Sequence, residues 1–337
     1  MCILLTLLCA AYVWIPKALA HSPVDLGTNE SLETAGKIPS PSKSWAIYSQ
    51  LHEGREAHYY QFEIDQGERI YISLFKPTAP EDSEFLPSLT LMGPNLTSQD
   101  SVPSYVEVPE GYGAIVVDGI QPSQANYEPF SPSSFYELAG IDTEAPSTGT
   151  YYIAVFEPNE GGHYGLAVGY LEEFTLNEWI LIPLNLISIY QWERQSLPLI
   201  LAPLAAILII GLAFLIWKWK KQTDMRTVTA WTGALAGLLF LGTGLITLFQ
   251  MALSLTYAPA IAEAAVTILL ASIPIILGAI ALRLSLKMQK INLRTRIYFA
   301  IIGLVALFMW GGLYVGPALA IICSLLPSRL SSGAPKL

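Results

Sequence analysis

The sequence predicts an all-β extracellular sandwich followed by an interfacial helix and an α-helical four-span transmembrane bundle. Charge asymmetry, period-two hydrophobicity in the front half and long apolar runs in the rear half are the observations behind it. Of 337 residues, 53% are hydrophobic and only 13% are charged, about half the charged share of average soluble domains. Residues 21–194 carry 6 Lys/Arg against 25 Asp/Glu, whereas residues 195–337 carry 11 against 2. A nucleic-acid binder needs a basic patch on its soluble part, so that class is excluded. An acidic front and a basic, apolar rear fit an exported domain tethered to a membrane.

Residues 1–20 read as a signal peptide, because an apolar run from Ile3 to Ile15 precedes the small-x-small pattern Ala18-Leu19-Ala20. Cleavage there leaves His21 as the mature N-terminus. Residues 21–44 form an N-terminal extended segment, and residues 45–175 an extracellular β-sandwich domain. In the latter, Tyr60, Phe62 and Ile64 alternate with Gln61 and Glu63, and Ile70, Ile72 and Leu74 with Tyr71 and Ser73. Residues 89–91, 115–117, 151–156 and 164–168 are further short runs. Turn chemistry such as Asp65-Gln66-Gly67 and Asn159-Glu160-Gly161-Gly162 separates them, as expected of antiparallel strands. Cys2 and Cys9 leave with the signal peptide and Cys323 sits in the last apolar run. The exported domain must therefore hold together by core packing, without disulfides.

The succession His58-Tyr59-Tyr60-Gln61-Phe62-Glu63-Ile64, then Gly67-Glu68-Arg69-Ile70-Tyr71-Ile72-Ser73-Leu74, resembles the opening of bacterial pre-peptidase C-terminal domains. The pair Gly149-Thr150-Tyr151-Tyr152-Ile153-Ala154-Val155 and Gly162-His163-Tyr164-Gly165-Leu166-Ala167-Val168 resembles their closing strands. The resemblance implies a jelly-roll-like sandwich, a non-catalytic role, and in some members binding of matrix polymers or calcium. Its middle acidic motif is replaced here by Ser83-Glu84-Phe85-Leu86-Pro87-Ser88-Leu89, and 118–146 reads as an insertion.

Residues 176–194 read as an interfacial amphipathic helix. Asn185, Ser188 and Gln191 recur every three residues as a polar stripe, and Trp179, Tyr190 and Trp192 suit a headgroup-level belt. Within 195–326, the runs 197–217, 228–253, 260–282 and 297–325 are each long enough for a hydrocarbon core of roughly 30 Å. Lys218, Lys220, Lys221 and Arg226 fall between the first two. Arg283, Lys287, Lys290, Arg294 and Arg296 fall between the last two. Both basic loops are then cytoplasmic. The protein is expected in the cell membrane as a multi-pass chain in contact with lipid, with the acidic domain and the C-terminal tail 327–337 outside.

Candidate chemistry is sparse. Gly-x-Ser-x-Gly, Walker, His-Glu-x-x-His and Cys-x-x-Cys motifs are all absent, which leans against an enzyme. A free amine and imidazole at His21, with His52, His58 or His163, form a candidate copper site, since neutral nitrogen donors suit Cu(II). Asp118, Glu128, Asp142 and Glu157 are candidate calcium ligands, because calcium takes six to eight oxygens; the alternative is a solvated acidic surface. Tyr127, Phe130, Phe135 and Tyr136 form an aromatic, proline-rich stretch that serves either as a contact ridge or as a loop packed over the sandwich end. Asn29 and Asn95 match the glycosylation pattern. Glu263 is the single acid within an apolar run and so a candidate functional group. Gly233-x-x-x-Gly237 and Gly312-x-x-x-Gly316 permit close helix packing, for bundle assembly or for association with a membrane partner or a second copy.

These readings converge on a multi-pass cell-surface protein with a non-catalytic extracellular binding module, in an adhesive, sensory or accessory role within an envelope complex. The alternatives are a copper-binding or copper redox protein using His21, and a component of a membrane transport complex.

Overall fold

The structure, a computed structural model, describes residues 21–27, 29–97, 101–221, 227–259, 261–288 and 291–326. The signal peptide at 1–20, Arg226 and Lys290 of the basic loops, and the tail 327–337 lie outside the described residues.

Among the described residues, the front half folds into eleven strands in two sheets. In chain order they are β1 (Ser22–Pro23), β2 (Gly36–Lys37), β3 (Trp45–Leu51), β4 (Ala57–Ile64), β5 (Arg69–Pro77), β6 (Ser88–Gly93), β7 (Gly113–Val117), β8 (Asn126–Glu128), β9 (Ser133–Glu144), β10 (Gly149–Phe156) and β11 (Gly162–Val168). The six-stranded sheet runs β1-β3-β11-β5-β9-β8 and the five-stranded sheet β2-β4-β10-β6-β7. The segment expected to be merely extended contributes β1 and β2, each pairing in parallel at a sheet edge with β3 and β4 respectively. Gly67, with φ of +83°, turns β4 into β5 in a backbone region that glycine enters without steric cost.

One apolar core draws on both sheets, with Phe62 and Tyr151 stacked 5.9 Å apart and Ile72, Leu74 and Leu166 fully buried beside them. Each such aliphatic side chain contributes roughly 1.5–3 kcal/mol on burial, which holds the cysteine-free half together. The stretch 118–146, expected as an insertion, instead supplies β9, a twelve-residue strand paired along β5 with a register shift at Leu74/Phe75. Ser, Gly, Glu and Asp weaken its strand signal, yet Leu138, Ala139 and Ile141 are buried.

The rear half is helical: α1 (Leu176–Trp192), α2 (Leu197–Lys221), α3 (Val228–Ser254), α4 (Ile261–Leu286), α5 (Leu293–Phe308) and α6 (Val315–Leu325). Among the described residues, α2, α3 and α4 are long and apolar enough to cross a membrane. They pack antiparallel in sequence order. Gly211 of α2 meets Leu238 of α3, and Gly237 of α3 meets Gly278 of α4. A Cβ on Gly278 would lie 2.7 Å from the Gly237 carbonyl oxygen, so the helices touch almost backbone to backbone. Gly233 and Gly237 thus serve close packing within the bundle, Gly233 against Ser285 of α4 and Phe299, and Gly237 against Gly278 and Leu282 of α4. Gly312 and Gly316 likewise pack on Phe240 of α3.

The expected fourth span, 297–325, is not one helix. It breaks at residues 309–314, where Trp310, Gly312, Leu313 and Tyr314 all have positive φ. Helices α5 and α6 then return on each other: Gly303 lies against Pro317 and Ile321, and Arg296 donates to the carbonyls of Ser324 (2.7 Å) and Leu326 (2.5 Å). At 16 and 11 residues, neither reaches the about 20 residues that a crossing takes. Leu326 therefore lies beside Arg296, and among the described residues no fourth helix is long enough to cross. A hydropathy window misses such a turn because Trp310, Leu313 and Tyr314 are themselves apolar or aromatic.

Candidate functional site

Where the strands meet the helices, a cavity of about 860 Å³ opens between the outer face of the six-stranded sheet, α1, the start of α4 and the α5–α6 turn. The pleat of β5 explains its upper wall. Ile70, Ile72 and Leu74 point into the core, so Tyr71, Ser73 and Phe75 point the other way. Most of β5 is buried, and on that second face Phe75 packs against Trp192 of α1. Trp192 at the end of α1 packs edge-on against Tyr48 (5.0 Å) and Phe75 (5.8 Å). Its indole N–H is shared between the carbonyls of Ser49 (3.2 Å) and Tyr164 (3.1 Å).

Four further contacts hold the walls of the cavity together, three of them between the front half and the helices. Thr175 and Glu178 form a capping box at the start of α1, and Glu178 also receives Lys43 Nζ at 2.6 Å. The Tyr127 hydroxyl bonds Thr267 Oγ1 of α4 at 2.7 Å, and Thr267 in turn donates to the Pro129 carbonyl at 2.8 Å. Trp179 and Trp310 stack with centroids 4.5 Å apart, and the Trp310 N–H reaches the Trp179 carbonyl at 2.9 Å. Arg194 leaves α1 with φ of +67°, a region unfavourable to side chains with a Cβ, and its guanidinium bonds buried Asp82 at 2.9 and 3.3 Å.

The cavity's electrostatics are one-sided. Glu128, Glu137, Glu172, Glu193 and Glu263 line it; no Lys or Arg does among the described residues. Burial pushes Glu128 up to about 7, against the opposing Phe130 N–H and with added repulsion from Glu172. Burial likewise pushes Glu193 up to about 8, although Gln195 and the Ser134 backbone N–H bond it. Gln195 closes a reciprocal amide pair with fully buried Gln250 of α3, at 2.9 and 2.8 Å. Burial, and then the charges of Glu128 and Glu193, raises the Tyr48 phenol. His21 also lines the cavity; its Nδ1 bonds Ser44 Oγ, and burial lowers it to about 4.

The four histidines are not brought together. His21 sits beside Ser44, whereas His163 pairs with Gln50 at the other end of β3, about 20 Å away at the rise of a strand. His52 is exposed beside Glu56, and His58 is buried between Glu56 (3.0 Å) and the Tyr164 hydroxyl (2.8 Å). The acids proposed for calcium are equally dispersed. Asp118 faces Ser88, Asp142 is bound twice by Arg69 at 2.7 Å, Glu157 takes the N–H groups of Asn159 and Glu160, and Glu128 lines the cavity. Among the described residues, no three His, Cys, Asp or Glu side chains are placed to hold a metal ion.

The aromatic stretch packs inward. Tyr127, Phe130 and Phe135 line the cavity, and Tyr136 lies next to them on β9 opposite Lys76. Glu263, in the first turn of α4, lines the same space. Asn95 is exposed in a turn, but Asn29 is buried and bonds Tyr60 and Tyr164, which leaves no room for a glycan. Tyr190 and Trp192 are buried rather than forming a headgroup belt. The expected polar stripe also divides: Asn185 lines the cavity while Ser188 and Gln191 are exposed. A three-residue spacing drifts about 60° per step on a helix of 3.6 residues per turn. Glu172, Glu193 and Tyr48 carried no signal, since nothing local distinguishes them from surface residues.

Compared with known proteins, the chain matches no family model and no curated sequence.

Proposed function

We propose that this is a multi-pass membrane protein whose outward β-rich half, a jelly-roll-like sandwich of the pre-peptidase C-terminal kind, binds a small ligand in the cavity it shares with the helices. The cavity is the observation that carries this reading: its volume of about 860 Å³ lies within the range of ligand sites, and it combines aromatic walls with a few polar groups. The exposed Leu176, Ile180, Leu181 and Leu184 of α1 support a helix lying in the lipid interface. The Lys/Arg-rich loops support a cytoplasmic side at the α2–α3 and α4–α5 connections. With α5 and α6 re-entering from that side, the C-terminus is cytoplasmic. The role is sensory or accessory, and a ligand at the joint between the two halves acts on both.

A transport-related reading draws on one observation: Glu263 of a spanning helix opens onto the same cavity. Hydrogen–deuterium exchange of the full chain in nanodiscs, with and without an organic extract of membranes, tests the site. Protection in 126–135 and 176–193 is expected. Protection confined to the five-stranded sheet would move the binding surface to the far side and contradict the proposal.

A further inference from the structure

We infer that the cavity takes an organic cation with an apolar body, an amine carrying no phosphate; this rests on the reading of the cavity as the ligand site. The side-chain chemistry of the lining comes first: it holds carboxyl groups and no Lys or Arg among the described residues. Glu128, Glu172, Glu193 and Glu263 approach from β8, the 169–175 connection, the end of α1 and the start of α4. His21 is the lone basic side chain there and is held neutral by burial. A carboxylate or phosphate in this space finds no Lys or Arg counter-ion among the described residues, and burial without one is heavily unfavourable.

The distribution of the acids comes second. No three of them are close enough to hold a metal ion among the described residues, so a bare divalent cation finds no coordination shell. A larger cation that spreads its contacts does find partners. Trp179, Trp192 and Trp310 supply indoles in the wall, and indole faces attract ammonium groups while covering an apolar body. Third, polar groups around the cavity remain open: the Glu263 carboxylate, the Asn185 amide and the Tyr48 hydroxyl have no hydrogen-bond partner among the described residues. An ammonium N–H donates to the first, and the other two suit a polar substituent.

The test uses the full chain in phosphatidylcholine nanodiscs, titrated calorimetrically with 4-phenylbutylamine, 4-phenylbutanol and 4-phenylbutanoate, with empty nanodiscs as blank. The three probes share one body and differ in charge. Lysophosphatidylethanolamine, an amine that does carry phosphate, separates a lipid headgroup from a free amine. The amine is expected to saturate one site about tenfold more tightly than the alcohol, the scale of one partly desolvated charge pair, with no saturable binding of the acid or the lysolipid. Glu263→Gln, which breaks no contact within the described chain, is expected to weaken the amine and leave the alcohol unchanged. Equal affinity for amine and alcohol, or an equal loss of both in Glu263→Gln, overturns the charge selection while leaving the cavity as a ligand site. Tighter binding of the lysolipid overturns the exclusion of phosphate. If none of the four binds saturably, the cation inference and the ligand-site reading fall together.

Discussion

Asp82→Asn probes the joint between the strands and the first spanning helix. The Asp82 carboxylate is fully buried at the end of the short 3-10 turn Pro80–Asp82, where it accepts from Arg194 at 2.9 and 3.3 Å and from the His163 backbone N–H at 3.2 Å. Burial alone raises its pKa; His163 and Arg194 more than offset this and hold it at about 2, below the ordinary 3.8. A carboxylate with a depressed folded pKa stabilises the fold above its unfolded value, and that stability is lost as pH falls through about 2. At 1.36 kcal/mol per unit, the contribution near neutral pH is about 2 kcal/mol. For a β-rich half of this size, that is a drop of about 4–8 °C in melting temperature. The assay is thermal unfolding of the purified full chain followed by tryptophan fluorescence, because Trp192 lies 6.5 Å from the His163 ring. Arg194→Gln alone and the double variant complete the cycle, whose coupling isolates the ion pair. A melting temperature unchanged by Asp82→Asn, or strict additivity in the cycle, would refute the idea that this buried pair locks the joint.

Three other expectations concern separate parts of the molecule. Gly278→Leu forces a side chain into the Gly237 carbonyl of α3, at 2.7 Å from its Cβ, and should cost about 1–3 kcal/mol or more; a lowered melting temperature with unchanged oligomeric mass is the expected result. Glu128 and Glu193, raised to about 7 and about 8, favour the folded state when protonated, so stability should fall as pH rises from about 5 to about 8. Urea midpoints across that range test it, and Glu128→Gln with Glu193→Gln should flatten the slope. A fluorescent-protein fusion after Leu337 should glow and an alkaline phosphatase fusion there should be inactive, as a cytoplasmic C-terminus requires; the reverse would restore four crossings.

Much of the fold is legible because two periods separate so clearly. The alternation in β4 and β5 and the uninterrupted apolar runs of α2, α3 and α4 each follow from local hydrophobic pattern, and their observed bounds differ from expectation by a few residues. What escapes is tertiary. Strand β9 is weak in local propensity and is held by pairing with β5. The α5–α6 hairpin hides because its turn is as apolar as its helices. The same holds for the site. Tyr127, Phe130, Phe135 and Glu263 stand out in the sequence by composition, as aromatics in a proline-rich stretch and an acid in an apolar run. Their convergence on one cavity depends on the Tyr127–Thr267 and Trp179–Trp310 contacts, which link residues more than 100 positions apart. Burial, not sequence, distinguishes Glu193 from an ordinary linker acid.

Photolabelling tests the ligand site most directly. An uncharged aryl diazirine and its alkylamine derivative are photolysed with the full chain in nanodiscs, and labelled peptides are mapped by mass spectrometry. The comparison variant is Asn185→Trp, which projects an indole into the cavity and removes no hydrogen bond among the described residues. Labelling of 126–135, 179–193 and 263–270 is expected in the parent chain, competed by excess unlabelled amine and reduced in Asn185→Trp at unchanged melting temperature. Labelling that stays on the lipid-facing surfaces of α2 and α4 and does not respond to Asn185→Trp would contradict it.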